Sequence, residues 1–162
     1  LNMVSVVEGF TSFNTPRVAQ LSQRSNQFNL RTVRYTDGEI AALGASDNHA
    51  CFSFTLEDKF GDNGLICVII LEKRDEKTLF IDTWFMSCRV LKRGMENFTL
   101  NTIVAWAKEH GFKRIIGEYI PTLKNEMVKE HYPSLGFTQI GENSYDLDVD
   151  AYAPRECYIE KK

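Results

Sequence analysis

The stretch FIDTWFMSCRVLKRGMENFTLNTIVAWAKEHG, residues 80–111, decides the fold. It opens as an apolar run that ends in Ser87-Cys88-Arg89, passes through a short basic turn, and becomes an amphipathic helix from Gly94. A helix N-terminus carries unpaired N–H donors and a partial positive charge, and a glycine lets the chain turn and approach a ligand closely. The order strand, basic glycine turn, helix therefore predicts a phosphate-binding turn.

The composition is that of one globular domain of ordinary size. The chain has 162 residues, of which 43% are hydrophobic and 25% charged, so we expect a packed core. The net charge of −3 argues against nucleic-acid binding, which needs a basic surface. The longest apolar run, residues 65–71, is too short to span a membrane, and no secretory signal is visible. These features predict a cytoplasmic protein without nucleic-acid or membrane partners.

The four cysteines, Cys51, Cys67, Cys88 and Cys157, do not form a metal-binding pattern. No CxxC pair occurs, and the spacings fit no zinc site. Free thiols in a reducing compartment are the simplest interpretation, and no metal is expected.

The periodicity of apolar residues predicts a mixed sheet with flanking helices in an α/β (α+β) domain. Residues 1–15 show no clear period and are expected to be a linker, with a single domain over 16–162. The predicted helices are 16–26, 38–43, 94–110 and 125–135, the first being an extra N-terminal helix. The predicted strands are 31–36, 49–58, 64–73, 78–88, 114–120, 137–140 and 144–149.

The glycine turn resembles the pyrophosphate loop of the GCN5-related N-acetyltransferases (GNAT), whose pattern is Gln/Arg-x-x-Gly-x-Gly/Ala. Arg89 and Gly94 are in register, and Lys92 stands where the first Gly belongs. The resemblance implies the acyl-CoA N-acyltransferase fold, with a mostly antiparallel central sheet, and coenzyme A or phosphopantetheine as the acyl carrier. The residues that it assigns to the cofactor in this region are Met86, Arg93, Gly94, Met95 and Glu96. A glycine that merely begins a helix is the alternative.

Two later segments, residues 121–125 and 132–137, are similar to the second cofactor-contacting segment of that family. The resemblance implies that Asn125 binds the pantetheine amides and that Tyr132 donates a proton or hydrogen bond to the leaving thiolate. Asn125 is equally typical of an ordinary helix N-cap, and Tyr132 of an aromatic residue that packs the last helix on the sheet.

A closer resemblance, over residues 16–149, is to the C-terminal portion of FkbH-like proteins. The segments that carry it are RVAQLSQRSNQFNLRTVRYT (17–36), KFGDNGL (59–65), MSCRVLKRG (86–94), PTLKN (121–125) and YPSLGF (132–137). That family joins a HAD-type domain to an acetyltransferase-like domain and loads a glyceryl unit onto an acyl carrier protein for methoxymalonyl-type polyketide units. The resemblance implies an acyl carrier protein as partner and a HAD-type domain or protein beside it, although no HAD motif is expected within this sequence.

Three further side chains are candidates for chemistry. Cys88, between an apolar run and a basic turn before a helix, would be favoured as a thiolate and could accept an acyl group, although a simple strand cysteine is the alternative. Asp82 and Glu118 lie in strands that the fold would make neighbours, and are candidate general bases or members of a solvated strand face.

Three functions stay open from the sequence. The first is an acyltransferase-like domain that binds a pantetheine thioester, and the second is a non-catalytic module that docks a carrier protein. The third is a free-standing N-acetyltransferase that acts on a small amine.

Overall fold

The structure, a computed structural model, describes residues 2–90 and 93–162, so Lys92 and its place in the glycine turn lie outside the described residues. The helices are α1 (Thr15–Arg24), α2 (Asp37–Ala45), α3 (Met95–Glu109) and α4 (His131–Ser134). The strands are β1 (Val4–Ser5), β2 (Val7–Glu8), β3 (His49–Asp58), β4 (Gly61–Lys73), β5 (Thr78–Met86), β6 (Arg114–Glu118), β7 (Thr138–Gln139), β8 (Ser144–Asp148) and β9 (Glu160–Lys161). Short 3₁₀ turns cover Cys88–Val90 and Glu126–Val128.

In the described part of the chain the strands form one sheet in the order β7-β8-β6-β5-β4-β3-β1-β9, with β2 also paired to β3. Two pairs are parallel, β5 with β6 and β1 with β9, and the other pairs are antiparallel. The predicted α/β fold class, with a mostly antiparallel central sheet flanked by helices, is therefore confirmed.

The sheet buries both of its faces. The larger core lies between one face and helices α3 and α4, and it includes Leu79, Ile81, Trp84 and Ile103. The smaller core lies on the other face under α1 and α2, and it includes Val18, Ile40, Ile70 and Phe85. Because β4 is covered on both sides, it reads as a continuous apolar run.

The connection between α1 and α2 is fixed by side-chain hydrogen bonds. The guanidinium of Arg34 donates to the backbone carbonyls of Ser22 and Ser25, which satisfies the C-terminal turn of α1. Helix α2 begins with a capping box, in which the Thr36 hydroxyl accepts from the Glu39 amide and the Glu39 carboxylate accepts from the Thr36 amide.

The prediction of a strand over residues 31–36 was wrong. Thr32 has a φ of 55°, which interrupts an extended chain, and the neighbouring side chains of Arg31 and Tyr35 reach the carboxylate of Asp82. The residues that contact the sheet lie just before this segment, where the backbone of residues 28–30 bonds to β5 and to the chain that follows β6.

Two other predictions need correction. Residues 4–8, expected to belong to a linker, form β1 and β2 and pair with β3, because their backbone groups complete its outer edge. The helix predicted over 125–135 is divided into a 3₁₀ turn and α4. Pro133 has no N–H and fits only the first turn of a helix, so α4 begins anew at His131.

Candidate active site

Strands β5 and β6 separate at their carboxyl ends. Their parallel pairing covers Thr78 to Phe80 against Arg114 to Ile116, while β5 continues to Met86. The carboxyl ends of neighbouring parallel strands are where open α/β sheets place their ligands. The gap between the two strands is therefore a candidate ligand-binding site.

This gap contains a piece of the same chain. The Leu30 amide donates to the Trp84 carbonyl (3.2 Å), and the Met86 amide donates to the Phe28 carbonyl (3.1 Å). On the other side the Ile120 amide donates to the Leu30 carbonyl (2.9 Å). Residues 28–30, here called the inserted segment, therefore bond to β5 and to the chain that follows β6.

Asn125, assigned by resemblance to the pantetheine amides, is buried and holds the inserted segment. Its side-chain nitrogen donates to the carbonyls of Asn29 (3.0 Å) and Ile120 (2.9 Å), and its oxygen accepts from the Thr122 amide (2.8 Å). The amide group of Asn125 is thus engaged with a peptide bond of the chain itself. Asn125 occupies the N-cap position of the 3₁₀ turn Glu126–Val128, but its side chain makes no capping hydrogen bond. Its role toward a cofactor stays a prediction.

The N-terminus of α3 opens beside the gap. Gly94 caps the helix with a φ of 85°, a conformation that side chains rarely adopt, and it supplies no capping side chain. The amides of Met95, Glu96 and Asn97 find no acceptor among residues 2–90 and 93–162. The helix therefore presents several N–H groups, as predicted for the glycine turn.

Arg93 does not point freely toward this helix end. Its guanidinium pairs with Asp58 at 2.5 Å, and this hydrogen bond holds the pKa of the Asp58 carboxyl below its ordinary value. Arg93 therefore ties the glycine turn to the end of β3, and its positive charge is already partly neutralised.

A small cavity lies between the start of α3 and the α4 region. Its volume is about 270 Å³, and Phe28, Glu96, Val128 and His131 are among its lining residues. Within the described chain, one carboxylate oxygen of Glu96 and the Nε2 of His131 are buried without a hydrogen-bond partner. Burial lowers the pKa of His131 to about 3, so the imidazole is neutral. These orphaned groups mark the cavity as a place where a polar ligand has something to bind.

Tyr132 is 1% exposed and sits inside the larger core. Its ring covers Gly117, where a Cβ would lie only 2.5 Å from a ring carbon, and it packs against Trp84, Phe137 and Tyr145. Its hydroxyl has no partner in the described residues, and burial raises its pKa far above the ordinary value. The ring thus packs the last helix on the sheet, as the alternative interpretation predicted. The role of the Tyr132 hydroxyl as a proton donor stays a prediction.

Cys88 is exposed on the opposite side of the inserted segment. Its thiol donates to the side-chain oxygen of Gln27 at 3.3 Å. It borders an open cavity of about 700 Å³ that Met86 and Phe28 also line. The charged residues of this lining are Arg24, Arg89 and Lys124. Although the whole chain is acidic, this cavity is cationic, which favours an anionic ligand.

Asp82 and Glu118 are brought together, as predicted, through a residue that the sequence did not single out. Arg31 donates from Nε to Glu118 (2.9 Å) and lies 3.4 Å from Asp82. Asp82 also accepts hydrogen bonds from the hydroxyls of Tyr35 and Thr83. Glu118 keeps one carboxylate oxygen without a hydrogen-bond partner among the described residues, so it is the more available base.

The two halves of the site lie on opposite faces of the sheet. Gly117 faces Tyr132 on the α4 side, and successive residues of a strand point to opposite faces, so Glu118 faces the α1 side. The gap between β5 and β6 is where the helix end on one face comes near the carboxylates on the other.

The sequence interpretation missed the inserted segment. The useful signal was the triplet Phe28-Asn29-Leu30, in which two apolar residues flank an asparagine directly after α1. All three residues are buried. A triplet is too short to show a strand period, and the partners of its backbone hydrogen bonds are more than 50 residues away.

Within the ranges 2–90 and 93–162, no helix has the length and apolar character that crossing a membrane requires, and no cluster of three or more possible ligand side chains is placed to hold a metal.

Solved structures identify the fold. The Escherichia coli ribosomal-protein-S18-alanine N-acetyltransferase superposes with a TM-score of 0.66 at 12% identity, over 96% of this chain and 99% of that one. Spermidine N-acetyltransferase from Vibrio cholerae, solved with CoA and spermine, gives 0.65 at 12% identity, over 92% and 96%. The GNAT domain of S. lividans PAT gives 0.64 at 15% identity, over 88% and 89%.

At these identities the similarity shows the GNAT fold. No protein-family model and no curated protein matches the sequence.

Proposed function

We propose that this chain is an acyltransferase domain that binds a pantetheine thioester at the carboxyl ends of β5 and β6. The observation that carries the proposal is the N-terminus of α3. Its glycine cap, and amides that find no acceptor among residues 2–90 and 93–162, lie beside the only parallel pair of strands in the centre of the described sheet. The Nε2 of His131, which has no partner in that part of the chain, lines the adjoining cavity and is a second sign of a ligand there.

The start of α3 has one feature that favours a pyrophosphate-bearing cofactor, its backbone amides, and one that opposes it, the carboxylate of Glu96. The amides of Met95 and Glu96 with the positive helix end would bind phosphate oxygens. The Glu96 carboxylate lies in the same turn and repels an anion, so binding requires its side chain to turn away from the phosphates. When bound, the thioester supplies an activated acyl carbon.

The chain's own residues would handle protons on the other face. Glu118, which has one carboxylate oxygen without a hydrogen-bond partner among the described residues, would accept a proton from the nucleophile of the acceptor. Arg31 holds this carboxylate in position. The leaving thiolate takes up a proton, for which Tyr132 would have to gain access from its buried position.

The carrier of the thioester is proposed to be an acyl carrier protein, as the resemblance to FkbH-like proteins implies. The cationic cavity around Cys88 supports this choice, because carrier proteins present a phosphate at the base of the pantetheine arm, and Arg24, Arg89 and Lys124 would meet it. In that setting the acyl group is a glyceryl-type unit. Cys88 borders the proposed phosphate position, so its role as an acyl acceptor stays a prediction.

A non-catalytic docking module is the second candidate function. Two observations favour it: Asp82 is fully engaged by Arg31, Tyr35 and Thr83, and the hydroxyl of Tyr132 is enclosed. Under this alternative the same surface binds a carrier protein and the chemistry takes place on a partner.

An N-acetyltransferase acting on a small amine is the third candidate function. It is favoured by the similarity in fold to the ribosomal-protein-S18-alanine N-acetyltransferase and to spermidine N-acetyltransferase. It predicts release of CoA from acetyl-CoA with an amine acceptor and no requirement for a carrier protein.

The test is a calorimetric titration of the protein with CoA and with a phosphopantetheinylated carrier protein, using two matched glycine variants. Gly94→Ala and Gly111→Ala place a side chain at opposite ends of α3, at similar φ values of 85° and 82°. Both introduce comparable backbone strain, about 1–2 kcal/mol, but only Gly94 lies at the proposed phosphate site.

We expect Gly94→Ala to weaken CoA binding by roughly tenfold and Gly111→Ala to leave it unchanged, since one pyrophosphate contact is worth about 1.4 kcal/mol or more. Equal affinities for the two variants would contradict the phosphate site. Carrier binding without CoA binding, and without turnover, would favour the docking module.

A further inference from the structure

The gap between β5 and β6 has the width of one strand. Neighbouring strands lie about 4.8 Å apart, so a chain that bonds to both sides needs an opening of about twice that distance. The inserted segment meets this condition, since it bonds to Trp84 and Met86 on one side and to Ile120 on the other. Asn29 and Phe85 form an antiparallel bridge across the β5 side.

A ligand of one chemical type would fit the same bonds. The partners that the gap offers are the Trp84 carbonyl, the Met86 and Ile120 amides and the Asn125 side chain. They bind a linear chain with secondary amides, which describes a peptide and equally the pantetheine arm. Because Asn125 already donates to the carbonyl of Asn29, the peptide of the inserted segment holds the position that such an arm would take.

We propose that residues 28–30 are a built-in occupant of the position in the gap that the pantetheine arm would take, here called the slot, and that they must leave before an external ligand enters. The inference rests on the proposed function for the identity of that ligand, the pantetheine arm. The new element is that residues 28–30 of the domain itself block the slot.

The chain beside the inserted segment is strained. Thr32 is β-branched and has a φ of 55°, a conformation that is a genuine outlier for such a residue. Its hydroxyl is buried without a partner in the described residues. When the segment leaves the slot, Thr32 is free to relax and its hydroxyl to meet water, which offsets part of the cost of breaking the slot's hydrogen bonds.

The removal of Phe28 would also join two cavities. Phe28 lines both the cavity of about 270 Å³ beside α3 and the cationic cavity of about 700 Å³ around Cys88. Its side chain, 4% exposed, lies between them and packs edge-on against His131 with the ring centroids 5.1 Å apart. An open slot therefore connects the helix end on one face with the acceptor side on the other.

The built-in occupant should lower the apparent affinity of the protein for its ligand by a predictable factor. If only a fraction of molecules has an empty slot, the apparent dissociation constant is the intrinsic constant divided by that fraction. Substitutions that destabilise the inserted segment in the slot should tighten ligand binding. Substitutions that stabilise it there should weaken ligand binding. Damage to the fold elsewhere should not tighten binding.

The test uses three variants with distinct expectations, in calorimetry with CoA and in amide hydrogen exchange without ligand. Phe28→Ala loosens the segment, while Thr32→Gly relieves its strain and removes the unpartnered hydroxyl. Phe112→Ala is the matched control, since Phe112 has similar exposure (6%) and packs against Trp106.

We expect Phe28→Ala to bind CoA about tenfold more tightly than the parent chain, Thr32→Gly to bind less tightly, and Phe112→Ala to bind like the parent. Without ligand, exchange of the Met86 and Ile120 amides should rise in Phe28→Ala and fall in Thr32→Gly.

One outcome is exchange that is faster in Phe28→Ala and slower in Thr32→Gly while no variant binds CoA. That result would show that the segment moves, but it would overturn both the pantetheine arm as its competitor and the proposed function. CoA binding that is equal in the parent and Phe28→Ala would overturn the built-in occupant and leave the proposed function standing. If Phe28→Ala does not fold, Thr32→Gly decides alone, and tighter binding or faster exchange in that variant would contradict the proposal.

Discussion

Strand β4 and the gap between β5 and β6 belong to the same sheet, but their backbone groups are satisfied differently. Strand β4 is paired with β3 from Gly61 to Glu72 and with β5 from Cys67 to Lys73, and its central residues 66–71 are 0% exposed. The gap is filled by three residues that arrive from the α1–α2 connection. Strand β4 and its neighbours are therefore a fixed part of the sheet. The gap between β5 and β6 is a position whose occupant can be exchanged under our proposal, and it coincides with the candidate site.

The largest effect should come from paired truncations in these two regions. Ile69 in β4 and Leu30 in the inserted segment are both 0% exposed. We expect Ile69→Ala to lower the free energy of unfolding by about 3–5 kcal/mol, in the upper part of the range for such changes. Leu30→Ala should cost less, about 2 kcal/mol, because a segment that opens locally can adjust to the cavity. Chemical denaturation of both variants measures this, and a larger loss for Leu30→Ala would contradict the distinction.

Acid should act next through the neighbouring His131. Its folded-state pKa is lowered to about 3, whereas an unfolded histidine has a pKa near 6.5. Stability is therefore full above about pH 6.5 and is lost as the pH falls toward 3, because the unfolded chain binds a proton that the folded one refuses. The slope approaches about 1.4 kcal/mol per pH unit.

Urea titrations of the parent and of His131→Gln between pH 7.5 and 4.5, values chosen to span roughly this window, measure the effect. The variant should have the shallower slope. Asp58, whose pKa is lowered below an already acidic value, contributes in the same direction only at lower pH. Identical slopes would mean that His131 is solvated and is not part of a closed site.

Two arginines offer a smaller contrast. Arg31 joins Asp82 and Glu118 at the mouth of the gap with a side chain 21% exposed, whereas Arg114 pairs with Asp146 with a side chain 48% exposed. Arg31→Ala leaves two carboxylates together without their shared cation, and should cost about 1–3 kcal/mol. Arg114→Ala should cost about 0.2–1 kcal/mol.

Thermal unfolding of the two arginine variants at low and high salt gives the comparison. The Arg31 effect should persist in salt because the pairing is partly shielded from solvent, and the Arg114 effect should fade. Equal small losses would remove the reason to treat the Arg31 cluster as a built part of the site.

The regular half of the sheet was predictable from the sequence. Strand β3 was predicted with its observed bounds, and β4, β5 and α3 within three residues at each end, because long apolar runs and a clear helix period leave few alternatives. The start of α3 at Gly94 was also predictable, since an apolar run, a basic stretch with a glycine and a helical period occur in immediate succession.

The gap was not predictable, because its contents are set by distant contacts. Residues 28–30 gain their place from bonds to Trp84, Met86 and Ile120, and nothing local to the triplet encodes them. The resemblance directed attention to Asn125 and Tyr132 as cofactor contacts, but it could not show that one binds the chain's own peptide and the other lies in the core.

The central claim is that the inserted segment and a pantetheine arm compete for one slot, and amide hydrogen exchange with and without saturating CoA tests it most directly. On CoA binding the Leu30 amide loses its acceptor, the Trp84 carbonyl, so its exchange should accelerate. The Met86 amide keeps a partner, now in the ligand, so its exchange should slow or stay constant. Slower exchange at both amides, or no change at Leu30 while CoA binds, would contradict the account.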